Sequence, residues 1–195
     1  MCIAEHYPKD VLNASMTILS THDTVRAITQ LSDHFSGSKE EKAMHRMQPQ
    51  EYNDARILLQ AAACLQFTLP GCPCIYYGDE VGLEGWEDPL CRRFFPWGNE
   101  DTLLLSYYRL LAQIHRQHSA LQSGSICALD STTDLICFQR SDNTEILSIY
   151  VNRGKTTVIP CIGTVIFQHR ASQTENSLIL EPYGAVIIQN NSNPA

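Results

Sequence analysis

The chain has 195 residues, 44% of them hydrophobic, and a formal net charge of -7. That length and composition suit one ordinary domain or two small ones with a packed core, which argues against disorder. The acidic balance lacks any cluster of Lys and Arg and disfavours nucleic acid and anionic membranes as partners, and no apolar run nears the roughly 20 residues that cross a bilayer.

The first ten residues hold neither a basic leader nor an apolar stretch of export-signal length, so a cytoplasmic location is expected. Apolar segments at 16–19 and 74–77 read as strands, each leading through a polar loop towards a helix. The first helix is expected over 53–69, with Ile57, Ala61, Cys64, Leu65 and Thr68 at three- and four-residue spacings and Pro70-Gly71 as its stop. The second spans 102–117, capped by Asp101, with Leu104, Tyr107, Tyr108, Leu111 and Ile114 on one face. Strand, loop and helix occurring twice in succession indicate parallel strands with crossover helices, in which functional groups sit at the carboxyl ends of the strands.

After Gly124 the texture turns β-rich, with runs at 125–128, 135–140, 145–152, 156–160, 165–168, 177–180 and 185–189. Turn residues such as Ser141-Asp142-Asn143 and Arg153-Gly154-Lys155 separate them and predict a small antiparallel β-sandwich. Residues 190–195 are polar and expected to fray.

Two segments carry the chemistry. Leu19-Ser20-Thr21-His22-Asp23-Thr24-Val25-Arg26 follows the first strand, where acid and base groups belong in this architecture. Taken alone, its Asp or Thr also fits a helix cap and its Arg an ion pair. Later come Pro70-Gly71-Cys72-Pro73-Cys74-Ile75-Tyr76-Tyr77-Gly78-Asp79-Glu80 and Asp88-Pro89-Leu90-Cys91-Arg92-Arg93-Phe94-Phe95-Pro96-Trp97. Asp88 and Arg92, four residues apart, can pair with each other or turn their polar groups outward. Trp86 is expected to pack inward, with its ring face open to stacking as the alternative.

The eight cysteines are too sparse for a disulfide scaffold, and Cys72-Pro73-Cys74 lacks the paired spacing of structural zinc. No metal and no cofactor is expected; buried free thiols are. His34, His45, His115 and His118 lie on polar stretches and read as solvated.

In order and spacing these motifs resemble the seventh and eighth strands of the alpha-amylase superfamily barrel, glycoside hydrolase family 13, followed by its C-terminal β-domain. The Asp88-Pro89-x-x-Arg92 stretch is most similar to neopullulanases, cyclomaltodextrinases and maltogenic amylases. The resemblance implies an α/β plus all-β chain: residues 1–120 as the last two βα units of a (β/α)8 barrel, and residues 121–195 as the β-sandwich. It implies that Asp23 is the transition-state-stabilising carboxylate of a retaining α-glucan hydrolase and that His22, Asp88 and Arg92 bind substrate. Asp79 and Glu80 would be structural, Tyr76 and Tyr77 barrel wall, and Arg26 an ion pair at the strand end.

No segment resembles the family's nucleophile Asp or acid/base Glu motifs, so these residues alone are expected not to hydrolyse glycosides. The implied partners are an α-glucan, maltooligosaccharide or cyclodextrin, and the missing barrel portion or a second copy of the chain. The alternatives are a non-catalytic carbohydrate-binding or interaction module, or a truncated gene product.

Overall fold

The computed structural model describes residues 6–32 and 34–191. The sequence readings on residues 1–5 and on the polar tail from 192 onward therefore lie outside the described residues. The chain divides into two compact units, one of Ile18–Gln66 with Pro73–Ala112, the other of Met1–Thr17, Phe67–Cys72 and Gln113–Ala195.

The first of these is mostly helical. Helices α2 (Ala27–Ser32) and α3 (Lys39–Met44) are single short pieces in the loop after the His-Asp segment; α1 (Lys9–Ala14) precedes it in the other unit. A capping box sets the start of α3: the Ser38 hydroxyl accepts from the Glu41 N–H at 3.2 Å, and the Ser38 N–H donates to Glu41 Oε2 at 2.7 Å. Helix α4 (Pro49–Thr68) begins ahead of the predicted start. Pro49 takes its first position, where a missing N–H costs nothing and a fixed φ suits the helix. Of the expected face, Ala61, Cys64 and Thr68 are buried and Ile57 and Leu65 half-buried, and Ala55, Leu59, Ala63 and Phe67 are buried as well. Burial thus extends around most of this helix, beyond the face expected from spacing.

Helix α5 (Thr102–Gln117) matches its expected span, and Leu104, Tyr107, Tyr108, Leu111 and Ile114 are all buried. Asp101 caps it, its Oδ1 accepting from the Leu104 N–H at 2.9 Å. The Tyr107 hydroxyl donates to the Gln60 carbonyl at 2.8 Å and ties α5 to α4.

The first expected strand shrinks to two residues, β1 (Met16–Thr17), which pairs with β2 (Cys72–Pro73), a pair of residues just ahead of the second expected run. The Cys72 N–H donates to the Ser15 carbonyl at 2.7 Å. The apolar run 74–77, read as a strand, lies outside the ladder. Pro73 has no N–H to extend it, and among the described residues no other strand joins this sheet.

The β-rich unit forms a six-stranded sheet in the order β3 (Ser125–Ala128), β4 (Leu135–Ser141), β5 (Ile146–Asn152), β8 (Ser177–Gln189) and β6 (Thr157–Pro160), with β7 (Thr164–Gln173) also paired to β8. Every pairing is antiparallel, as the turn residues predicted. The runs 177–180 and 185–189 are one strand, and the sheet is continuous. Tyr183 (φ 60°) on β8 and Arg170 (φ 47°) on β7 are left-handed, next to the register shift between His169 and Ala171. Gly184 fits there because a Cβ would lie 2.5 Å from the Arg170 carbonyl oxygen.

Ile159, Leu178, Leu180, Val186 and Ile188 form the core of this sheet, flanked by Leu135, Tyr150, Val165 and Ala171. Beyond that cluster, Leu147, Ile149, Val151, Ala185 and Ile187 are buried as well, so the central strands β5 and β8 are covered on both faces. Arg140 on β4 is fully buried, donating to the Thr68 carbonyl at 2.8 Å and the Gly124 carbonyl at 3.2 Å. Desolvation brings its guanidinium down to about 10.

Candidate sugar-binding site

The site lies wholly within the helical unit. Thr21, His22, Asp23 and Thr24 make a tight turn closed by hydroxyls: the Thr21 N–H donates to Thr24 Oγ1 at 2.8 Å, and the Asp23 N–H to Thr21 Oγ1 at 3.2 Å. A second turn is built around Asp88, with the Leu90 N–H on the Glu87 carbonyl at 2.8 Å and the Arg92 N–H on the Pro89 carbonyl at 3.0 Å. The Asp88–Pro89 peptide is cis.

Arg92 joins the two turns. Its Nη2 is 2.7 Å from Asp88 Oδ1 and 3.3 Å from Asp23 Oδ1, and its Nε donates to the His22 carbonyl at 3.1 Å. The same carbonyl accepts from Cys91 Sγ at 3.0 Å, while His22 Nε2 sits 3.0 Å from Asp23 Oδ2. The four residues singled out from the sequence, His22, Asp23, Asp88 and Arg92, are thus brought together, although they come from segments about sixty-five positions apart. Asp88 and Arg92 do pair with each other, and Arg92 also reaches Asp23.

These side chains are open to solvent, at 65% for His22 and Asp23, 49% for Asp88 and 47% for Arg92. Ion pairs so exposed contribute only about 0.2–1 kcal/mol each, and their hydrogen bonds exchange readily with those of another polar molecule. The arrangement presents two carboxylates, a guanidinium fork and an imidazole on one exposed surface, which is the donor and acceptor set that grips vicinal hydroxyls.

Behind it lies a buried set of polar contacts. Arg26 is fully buried; its Nε donates to the Cys91 carbonyl at 2.7 Å, and its Nη1 bonds the Tyr77 carbonyl and lies 3.2 Å from Asp79 Oδ1. The Ser20 hydroxyl also donates to Asp79. Burial holds the Asp79 carboxyl above its ordinary range, against the opposing pull of Ser20 and Arg26. The Arg26 guanidinium carbon stands 4.0 Å from the Tyr76 ring centroid and 4.6 Å from that of Tyr77.

One sequence reading holds, that of Trp86, and two change. Trp86 is packed, at 9% exposure, with Phe35 and His45 ring centroids at 6.3 and 6.2 Å and Lys42 Nζ 4.6 Å from its ring. Of the histidines read as solvated, only His34 is exposed. His45 stacks on Phe35 at 4.1 Å, His115 Nδ1 bonds the Phe67 carbonyl at 2.9 Å, and His118 Nδ1 pairs with Glu145 Oε2 at 2.7 Å. Among the thiols, Cys64 and Cys91 are buried as expected, but Cys72 is exposed. Polar neighbours in sequence concealed these partners, because burial depends on chain segments far apart.

Sequence reasoning also passed over a cavity of about 870 Å³ in this unit, lined by Arg46, Tyr52, Glu84, Arg93, Phe94 and Asp101 among others. Its residues are scattered over loops with no motif of their own.

No protein-family model matches the chain. An amylopullulanase of Thermoanaerobacter thermohydrosulfuricus is 36% identical to it over 141 residues, covering 72% of this chain and 9% of that protein. A cyclomaltodextrinase of Bacillus sp is 30% identical over 153 residues, covering 76% of this chain and 24% of that protein. Among solved structures, the Nostoc punctiforme debranching enzyme soaked with acarbose superposes with a TM-score of 0.74 at 26% identity, covering 96% of this chain and 36% of that one. The chain spans a third or less of these curated relatives.

Proposed function

Because the chain belongs to the alpha-amylase family, glycoside hydrolase family 13, and matches its C-terminal region, we propose that it forms the sugar-holding side of an α-glucan hydrolase cleft. On this reading residues 1–120 are the last two βα units of the (β/α)8 barrel and 121–195 its C-terminal β-domain. The observation that carries the proposal is the convergence of Arg92 on Asp23, Asp88 and the His22 carbonyl.

In a retaining glycosidase a nucleophile and an acid/base flank the anomeric carbon, and the sugar ring gains positive charge in the transition state. Asp23 neither attacks nor protonates. Its carboxylate accepts from ring hydroxyls and strengthens that grip as charge develops, which is differential binding of the transition state. His22 Nε2, within reach of Asp23 Oδ2, donates to a hydroxyl of the same sugar. Asp88 and Arg92 hold a glucose unit further along the chain, each exchanging part of its partner's hydrogen bonding for sugar hydroxyls.

The chain holds no counterpart of the nucleophile or acid/base motifs, so binding without hydrolysis is the expected behaviour of the 195-residue protein. The free thiols among the described residues suit a reducing compartment such as the cytoplasm.

Titration with maltotriose followed by heteronuclear NMR tests this reading. Shifts confined to the turns around Asp23 and Asp88, and lost in Asp23→Asn, are expected. Binding that persists in Asp23→Asn and His22→Ala but maps to the β-rich unit would favour a carbohydrate-binding module instead. Reducing sugar released from cyclodextrin above a blank control would refute the absence of hydrolysis.

A further inference from the structure

The 870 Å³ cavity is walled in part by Arg46, Arg93, Tyr52, Glu84, Asn99 and Phe94. Two of these converge on a single atom: Arg46 Nη1 is 3.3 Å, and Arg93 Nη2 3.1 Å, from the Ala43 carbonyl oxygen. Their other hydrogen bonds also go to carbonyls, Arg46 to His45 at 2.6 Å and Arg93 to Lys42 at 3.4 Å. Among the described residues no carboxylate lies within the 4.0 Å of an ion pair to either guanidinium. Glu84 contributes negative potential at Arg93, but its Oε2 already accepts from the Met47 N–H at 2.8 Å.

Two neighbouring guanidinium groups held only by carbonyls place like charge side by side, although Glu84, Glu100 and Asp101 also line the cavity. Burial, followed by the repulsion of Arg46, lowers Arg93 from its ordinary value, and Glu84 opposes this only in part. A tetrahedral oxyanion relieves that repulsion and accepts charge-assisted hydrogen bonds from both forks. The cavity is much larger than a bare oxyanion and falls within the about 300–1,000 Å³ of small-molecule sites. Glu84 and Asn99 on the remaining wall offer groups for hydroxyls, and Phe94, at 96% exposure, a ring face for an apolar sugar surface.

We propose that this cavity binds a phosphate monoester of a small sugar, with the phosphate on Arg46 and Arg93 and the sugar against the polar wall and Phe94. Arg92 and Pro89 of the Asp88 turn also border this cavity, but its anchoring residues, Arg46 and Arg93, make no contact with Asp23 or Asp88.

Calorimetric titration of the 195-residue chain with glucose 6-phosphate, inorganic phosphate, glucose and chloride, at fixed ionic strength, tests the proposal. Glucose 6-phosphate is expected to saturate one site, inorganic phosphate to bind about tenfold more weakly, and glucose and chloride not to saturate. Arg46→Gln and Arg93→Gln should each weaken the ester by about tenfold or more. Arg46 is exposed, so its variant reports on binding even where Arg93→Gln disturbs the fold. Absence of saturable ester binding, an equal response to chloride, or undiminished affinity in Arg46→Gln would overturn the proposal. Inorganic phosphate binding as tightly as the ester would overturn the sugar half of it, and glucose binding as tightly would overturn the anionic anchor.

Discussion

Arg26 Nη1 lies 3.2 Å from Asp79 Oδ1, with 0% and 3% of the two side chains exposed, and this buried pair sits directly behind the His22–Asp23 turn. Arg26 holds the Cys91 carbonyl, Cys91 Sγ holds the His22 carbonyl, and Ser20 and Arg26 hold Asp79 from the other side. A chain of buried polar contacts therefore sets where the exposed carboxylate of Asp23 stands.

Removing one partner of such a pair strands a buried charge, so Arg26→Met should cost about 3–5 kcal/mol in urea unfolding. The loss depends on pH. With Arg26 gone, the Asp79 carboxyl, already raised by burial, rises further. A raised carboxyl contributes its full stability below the unfolded value and loses it as pH climbs through the folded one. The deficit of Arg26→Met should thus be smaller at about pH 4 than at pH 7. A deficit independent of pH would show that the pair is not what Arg26 contributes.

What the sequence made legible is chemistry that acts locally. Asp101 caps α5 through an N–H three residues on, and the apolar period from Leu104 to Ile114 names the buried face directly. Tertiary pairing is not local. The 74–77 run has the composition of a strand, but Pro73 ends the ladder before it. The runs 177–180 and 185–189 read as separate strands, yet β8 runs through both, with Tyr183 left-handed within it and a register shift between His169 and Ala171 on its partner β7. The polar end of β7, with His169 and Gln173, gives no apolar signal although it pairs with β8. Within the site, the resemblance of the motifs singled out His22, Asp23, Asp88 and Arg92, but not that one guanidinium would span both carboxylates.

His115 provides a second pH test in the β-rich unit. Burial lowers its imidazole from the ordinary value of 6.5, the bond to the Phe67 carbonyl opposes this, and Arg140 adds to the lowering. A depressed His gives stability that is present above its unfolded value and lost as pH falls below it, since the unfolded chain then binds the extra proton. Stability by urea titration should decline between about pH 7 and pH 5.5, and His115→Gln, which keeps a donor without titrating, should flatten that slope. An unchanged slope would assign it to another group.

Thiol titration distinguishes the cysteines by position. Cys72 and Cys127 are exposed and should react promptly with an aromatic disulfide reagent, whereas Cys64, Cys91 and Cys137 are buried and should wait for unfolding. Cys64 is the extreme case, since desolvation pushes its thiol up to about 12. Prompt reaction of Cys91 would mean that the contact between the His22 carbonyl and the Asp88 turn opens in solution.

That same thiol separates positioning from stability at Arg92. Arg92→Lys keeps the charge but loses the fork that reaches Asp88, Asp23 and the His22 carbonyl together. Because these groups are about half exposed or more, folding stability should change by less than about 1 kcal/mol. Cys91 should nevertheless become more reactive, as the bond from Arg92 Nε that closes the His22 carbonyl is gone. Maltotriose affinity should fall by about tenfold, the worth of one or two charge-assisted hydrogen bonds. A large loss of stability with unchanged thiol protection would instead make Arg92 a structural residue, and the convergence on Asp23 and Asp88 would no longer support a sugar site.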